Sequence, residues 1–295
     1  MKHAYLIIAH NEPYILEKQL KLIDDERNDI YIHIDKKWKN FDFDYFKKIV
    51  KKSNLYFIPR LDVRWGTYRQ IKCELLLLKM AYSNKYAYYH LISGIDMPLK
   101  SQDEIHAFFN ENNGYEFIHF DCYDSVKEET IERIKYYHLF TSKFRNKGLL
   151  AKIYNSLHFH LIRFQKKLKI NRCKDLNIRK GANWFSITND LAGYIISNEK
   201  FIKKYFKYSY CSDELFVQTL VYNSKFYNNL YLKKDDDYMS IMRYIDWNRG
   251  EPYIFKSEDS NDLINSKYLF ARKFSTKVDK KIIDKIYDHI KGDFK

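Results

Sequence analysis

The segment Tyr88-Tyr-His-Leu-Ile-Ser-Gly-Ile-Asp-Met-Pro-Leu99 decides how this chain is read. An apolar run stops at the small step Ser93-Gly94, Asp96 follows at once, and Pro98 blocks continuation of the strand. In an open α/β sheet, ligands bind in the crevice outside the carboxyl ends of the strands. A carboxylate there is placed to meet a polar ligand, and Gly94, without a side chain, leaves the backbone open to close approach. A plain strand-to-helix turn with Asp as an ordinary turn residue uses the same letters. The assignment therefore rests on what surrounds the segment.

The chain before it alternates. Residues 4–9 predict a strand, 13–23 a helix with Pro13 in its first turn, 30–34 a strand, 43–52 a helix and 55–58 a third strand. A strongly apolar helix over 70–82 leads into the strand 86–92, and Ser101-Gln-Asp-Glu104 has capping-box spacing ahead of a helix over 101–108. Strands alternating with helices predict βαβ units and a mostly parallel sheet. No GxGxxG or Walker glycine pattern accompanies them.

Beyond the segment, 116–120 and 183–187 predict strands and 190–197 a helix, while 125–180 is basic and helical without a clear fold signal. Residues 212–222 predict a helix with Ser212 as N-cap and two acids, Asp213 and Glu214, in its first turn. Short strands are expected at 241–245 and 269–274, and an amphipathic helix over 278–290. With no repeat and no low-complexity linker, one continuous domain over 1–295 is the expected organisation.

Composition bounds the function. The formal net charge of +14 suits nucleic acid, an anionic membrane surface or a phosphate-bearing substrate. The cations fall in scattered pairs such as Lys47-Lys48 and Lys166-Lys167, and the many Tyr and Phe sit at core-like spacing. No helix-turn-helix, RRM or zinc-finger signature supports a nucleic-acid reading, which would require steeply salt-dependent binding. Cys73, Cys122, Cys173 and Cys211 form no CxxC pair, which argues against a zinc or redox site. The N-terminus reads as a strand and not a signal peptide, so reduced thiols and a cytoplasmic location are expected. No apolar run is long enough to span a bilayer.

Several short constellations carry chemistry. Asp213 and Glu214 suit a helix start, and one of them facing a cleft could take a proton from a hydroxyl. Arg272 and Lys273 in Leu269-Phe-Ala-Arg-Lys-Phe274, with Arg243 in Met242-Arg-Tyr-Ile-Asp-Trp247, offer the cations that neutralise a leaving diphosphate where no metal does so. Asp35 ends the second strand at a position able to hold a ribose or base. Trp65 and Gly66 precede a helix. Trp184, in Gly181-Ala-Asn-Trp-Phe-Ser186, suits stacking on a sugar face. His90, His119 and His138 read as packed or hydrogen-bonded residues, and Asp235-Asp-Asp237 as a solvated loop.

Taken in order, these segments resemble one family, the core-2/I-branching β-1,6-N-acetylglucosaminyltransferases and peptide O-xylosyltransferases (glycosyltransferase family 14). The resemblance runs from Ala9-His-Asn11 through His33-Ile-Asp35, Arg64-Trp-Gly66, Leu91–Leu99, Gly181–Ser186, Ser212-Asp-Glu214 and Met242–Trp247 to Leu269–Phe274. The membrane anchor, stem and cysteine framework of the animal Golgi members are not matched, which fits a compact bacterial-type enzyme. The resemblance implies a GT-A type, Rossmann-like α/β fold with a mostly parallel central sheet flanked by helices. The nucleotide-sugar-binding half would be 1–120 and the acceptor and catalytic half 121–295.

It implies an inverting transfer from a UDP-sugar, N-acetylglucosamine or xylose, to an acceptor hydroxyl; from the anchor-free chain, a glycan or lipid-linked glycan in surface polysaccharide synthesis is the expected acceptor. Glu214 would be the general base, and no metal or other cofactor is expected. His10, Asn11, Asp35, Trp65, Gly66, Asp96, Arg243, Arg272 and Lys273 would hold the donor. Asn183, Trp184 and Asp213 would meet the acceptor. A peripheral contact with the anionic inner face of a membrane is a further expectation, nucleic acid is not an expected partner, and a catalytically inactive sugar-binding relative is the competing reading.

Overall fold

The computed structural model describes residues 1–122, 128–139, 141–143 and 148–292. Strands β1 (His3–Ala9), β2 (Asn28–Ile34), β3 (Asn54–Phe57) and β4 (Tyr88–Ser93) are joined by helices α1 (Pro13–Ile23), α2 (Phe43–Ile49) and α3 (Arg69–Tyr82). Every residue of β1, β2 and β4 is buried, as parallel strands covered on both faces should be. The short strand β5 (Met97–Pro98) and α4 (Gln102–Glu111) follow, and α4 opens with the capping box between Ser101 and Glu104.

The rest of the chain supplies α5 (Glu128–Lys135), α6 (Leu149–Lys167), β6 (Phe185–Thr188), α7 (Asn189–Ser197), α8 (Glu199–Phe206), α9 (Phe216–Tyr222), β7 (Arg243–Ile245), α10 (Ser260–Ile264), β8 (Phe270–Arg272) and α11 (Lys281–Lys291). The central sheet has the order β3-β2-β1-β4-β6, parallel except for the antiparallel edge strand β6. A second sheet, β5-β8-β7, stands beside it. The result is the mixed α/β fold with a parallel-rich sheet and flanking helices that the alternation predicts.

The two stretches 1–120 and 121–292 pack around shared cores. Met242, Leu269 and Phe270 join Tyr5, Ile7, Ile32 and Phe109 on one face of the central sheet. On the other face Phe216, Leu191 and Ile195 pack with Leu6, Leu77 and Leu91. Cys73, Cys173 and Cys211 are buried thiols outside any disulfide. Among the described residues, no helix is long and apolar enough to cross a membrane.

Several boundaries differ from expectation for identifiable reasons. The helix expected over 43–52 stops at Ile49 because the Asp24 carboxylate accepts the backbone N–H groups of Lys51, Lys52 and Ser53. Residues 116–120 form no full strand. Phe117 bridges Ser186, Glu116 bridges Leu230, and beyond them Phe120 and Asp121 turn to bond Asp236 and Lys180. The last helix starts at Lys281, where Asp279 accepts the N–H groups of Lys281 and Ile282. Pro98 does not end the apolar strand, since β4 already stops at Ser93. It lies in β5, on the edge of the small sheet, where a missing N–H costs nothing.

The largest correction concerns residues 212–222. Ser212–Glu214 is a 3-10 turn, and the α-helix begins only at Phe216. Ser212 is not the helix N-cap, and among the described residues its hydroxyl has no partner. Cys211 adopts a left-handed conformation, φ 45°, with its N–H bonded to the Gly66 carbonyl. That tie displaces the helix start and leaves Asp213 and Glu214 on a turn facing the Trp65-Gly66 loop.

Candidate active site

The carboxyl ends of β1, β2 and β4 lie side by side, and Arg272 at the end of β8, with Lys273 after it, meets them at the edge where an open α/β sheet has its crevice. Arg272 donates from Nη1 to Asp96 Oδ1 at 2.7 Å and to Ser93 Oγ at 2.6 Å. Its guanidinium also lies 4.4 Å from the centre of the Trp184 ring. Asp96 is buried and accepts further bonds from the Ser93 N–H and hydroxyl. This carboxylate therefore orients Arg272 and closes the β4 turn, and offers no free oxygen to a ligand as a lone turn acid would. Lys273 is partly exposed beside Arg272. Burial and the neighbouring guanidinium lower its pKa, and among the described residues it makes no ion pair.

The other predicted donor residues line the same rim. His10 and Asn11 are exposed just past β1. The His10 imidazole is pushed down in pKa by desolvation, with Asp35 opposing and Lys37 and Arg272 adding to the effect. Asp35 is buried and accepts the Lys37 and Val63 N–H groups, so it fastens the loop leading to Trp65. Trp65 is half exposed and meets Tyr210 edge-on. Gly66 is required twice over: its φ is +74°, and a Cβ would lie 2.8 Å from the Tyr210 ring.

Two expectations about this rim are corrected. Gly94 leaves room for protein and not for ligand, since a Cβ there would stand 2.7 Å from the Ala9 side chain. Arg243 is 1% exposed and cannot clamp a diphosphate. Its guanidinium donates to the carbonyls of Ile241, Leu91 and Phe185 and to the Ser186 hydroxyl, bolting the small sheet to the large one.

The carboxylate side of the crevice adjoins the cations through Asn183 and Trp184. Asn183 Nδ2 donates to Glu74 Oε1 at 2.9 Å. Glu74 is wholly buried on α3, and burial, then the Asp213 charge, holds its carboxyl well above the usual range. Asp213 keeps some solvent access. Burial first, and then Glu214, push its pKa up to about 7. Glu214 is more open, with its side chain 37% exposed, and accepts a bond of 3.2 Å from Arg133 Nη1 on α5. The Glu214 carbonyl holds the Gly181 N–H at 3.0 Å. Arg272 thus meets Trp184, the adjacent Asn183 bonds Glu74, and the Asp213 charge bears on Glu74.

Sequence reasoning missed Glu74 and Arg133. A lone acid inside Ile71-Lys-Cys-Glu-Leu-Leu-Leu-Leu78 was a visible signal for the first. Nothing local marked Arg133, which lies in the basic stretch. His90 and His138 are hydrogen-bonded, as expected: His90 to Ser186 and His3, His138 to the Glu132 carbonyl. His119 is buried, accepts the Ala182 N–H on Nδ1 and stacks on Tyr238. It also converges with Asp121 and Asp236, ligand atoms within 4.8 Å of one another, although Asp121 is already paired with Lys180. Asp236 is brought there by its N–H bond to Phe120, so the acidic loop is anchored at one point. A separate open depression lined by Tyr244, Asn261, Asn265 and Tyr268 shares no residue with this crevice.

A family model described as Core-2/I-Branching enzyme matches residues 3–254. The Xylosyltransferase sqv-6 of Caenorhabditis briggsae is 24% identical over 280 residues, covering 86% of this chain and 32% of that protein. The Beta-1,3-galactosyl-O-glycosyl-glycoprotein beta-1,6-N-acetylglucosaminyltransferase of Homo sapiens is 24% identical over 320 residues, covering 98% of this chain and 69% of its own length. Xylosyltransferase 2 of Rattus norvegicus is 21% identical, with 99% of this chain and 34% of that protein covered. The chain spans about a third of the length of these two xylosyltransferases. Among solved structures, apo mouse Xyloside xylosyltransferase 1 is similar with a TM-score of 0.39 and 8% identity, covering 92% of this chain and 97% of that one.

Proposed function

The chain belongs to the Core-2/I-Branching enzyme family, and from that premise we propose that it transfers a sugar from a UDP-sugar to a hydroxyl of a glycan acceptor with inversion at the anomeric carbon. N-acetylglucosamine and xylose are the sugars named by its relatives. A surface polysaccharide or lipid-linked glycan is the acceptor class. The observation that carries the reading is the contact of Arg272 with Trp184 and the bond of the adjacent Asn183 to Glu74, a carboxyl that also feels the Asp213 charge. These contacts support a site with cations toward one side and carboxylates toward the other, the two kinds of group that sugar transfer requires.

In this mechanism the acceptor hydroxyl oxygen attacks the anomeric carbon. Glu214 takes the hydroxyl proton, and the bond from that carbon to the β-phosphate oxygen breaks. The departing UDP gains negative charge, which Lys273 neutralises, with Arg272 held beside it by Asp96. Arg133 fixes the Glu214 carboxylate without burying it. Trp184, backed by the Arg272 guanidinium, offers its open face to a sugar ring. Cations at the phosphates make the reaction independent of divalent metal.

The test is transfer from UDP-N-acetylglucosamine and UDP-xylose, with UDP release as the readout. Glu214→Gln keeps the shape but cannot accept the proton, so turnover should fall roughly 10²–10⁴-fold while UDP binding is kept. Activity should persist in EDTA. Wild-type turnover in Glu214→Gln removes the base assignment. Loss in chelator with recovery in manganese points instead to the His119, Asp121 and Asp236 group.

A further inference from the structure

Helix α6 is an anomaly of this fold. Of its 19 residues only Ala151 and Gln165 are buried, yet it is rich in large apolar side chains. Leu150, Ile153, Leu157, Phe164 and Leu168 at its C-cap are 67%, 45%, 49%, 59% and 56% exposed. At 3.6 residues per turn they fall on a single stripe, running about 27 Å along the axis. Scattered exposed apolar residues are normal on a soluble protein, but a continuous stripe of this kind marks an interaction surface.

The charge beside the stripe selects the partner. Between residues 149 and 170 there are five cations, Lys152, Arg163, Lys166, Lys167 and Lys169, and no Asp or Glu. All five are exposed. Lys152, Arg163 and Lys167 flank the stripe on the side away from the buried residues. A second copy of the chain packed two-fold on this helix would set these cations against one another. The hydrocarbon core of a bilayer would have to take up four of them if the helix spanned it, and the helix is not apolar enough to do so. An apolar stripe bordered by cations alone is the pattern of a helix lying in a membrane surface that carries negative charge.

We propose that α6 docks this protein on an anionic bilayer, with the stripe entering the headgroup boundary and the flanking lysines meeting lipid phosphates. An ion pair links the helix to the element that reaches Glu214. Lys166 pairs with Glu132 on α5, and Arg133, the next residue, bonds Glu214. Docking would hold the carboxylate end of the site close to the membrane. The inference rests on α6 itself and stands whether or not the transfer reaction is as described above.

The experiment is flotation of the full-length chain with vesicles of phosphatidylcholine alone and of equal parts phosphatidylcholine and phosphatidylglycerol. Binding to the second and not the first is expected, weakening with salt. A variant with Leu150, Leu157 and Phe164 changed to Asn should lose binding at every salt concentration, and its exposed sites leave folding unaffected, which circular dichroism checks. Changing Lys152, Lys167 and Lys169 to Gln should weaken binding by about 5-fold per lysine. Changing Lys47, Lys48 and Lys51 to Gln removes the same charge elsewhere and should leave it nearly intact. The proposal is overturned if anionic vesicles do not bind, if the two lysine variants behave alike, or if the stripe variant binds as well as wild type. It is equally overturned if the free protein is a dimer that this variant converts to monomer.

Discussion

Asp213 and Glu74 give the site a pH signature that can be read without substrate. Both carboxyls are raised, Asp213 to about 7 and Glu74 well above its ordinary value, in each case mainly by burial. Glu116, buried against Thr188, is also raised to about 7. At these three carboxyls the folded chain keeps protons that the unfolded chain has released, so their contribution to stability is fully present below the unfolded values near 4 and is lost as pH rises toward 7. Glu74→Gln keeps an acceptor for Asn183 and removes the charge problem. It should raise the melting temperature at pH 8 and leave it little changed at pH 4.5, each kcal/mol gained amounting to about 2–4 °C. Thermal melts at the two pH values decide this. A loss of stability at pH 8 would mean that Glu74 is ionised and paired in the folded protein.

At the scale of elements, the site is held by loops that were harder to read than the strands they join. The first four strands were legible because a period of alternating apolar runs and amphipathic helices is dictated locally, and the capping box at Ser101 and Glu104 is a local contact as well. Residues 212–214 were not legible, because their 3-10 turn is imposed from outside by the Cys211 bond to Gly66. The strand expected at 116–120 was lost for the same reason, its N–H groups being shared between β6 and distant loops. For the site, the identities of Glu214, Trp184, Arg272 and Lys273 came from motifs, whereas Glu74 and Arg133 act through contacts far apart in sequence. Gly181 shows how tightly these loops are set. A Cβ there would stand 1.9 Å from the His119 carbonyl oxygen, and its N–H holds the Glu214 carbonyl. Gly181→Ala should therefore lower the melting temperature and depress turnover further than the melt alone explains, because the turn carrying Glu214 must move. A variant that melts and turns over like wild type would show that the loop yields freely.

At the scale of the whole molecule, the two sheets must stay in register for the crevice to exist. The central sheet contributes the carboxyl ends of β1, β2 and β4, whereas Arg272 and Lys273 arrive on β8 of the small sheet. The buried link between them is Arg243, whose guanidinium reaches from β7 to the carbonyls of Leu91 on β4 and Phe185 on β6. Removing it leaves buried carbonyls without donors and a cavity where a large side chain stood, together costing about 3 kcal/mol or more. Lysine has one point charge with three donors in place of a planar fork and cannot restore the four diverging bonds. Arg243→Ala and Arg243→Lys should both melt well below wild type. In the fraction that remains folded at low temperature, UDP affinity should stay near wild type, since the guanidinium touches no open space. Lys273→Ala should do the opposite, keeping the melting temperature and weakening UDP binding, with a larger loss in turnover because charge on the leaving UDP grows in the transition state. Calorimetric titration of UDP against all three variants, beside their melts, separates the two roles. If Arg243→Ala weakened UDP binding as much as Lys273→Ala at an unchanged melting temperature, Arg243 would have to swing out of the sheet junction to reach the nucleotide, and the two sheets would be held together by something other than this bolt.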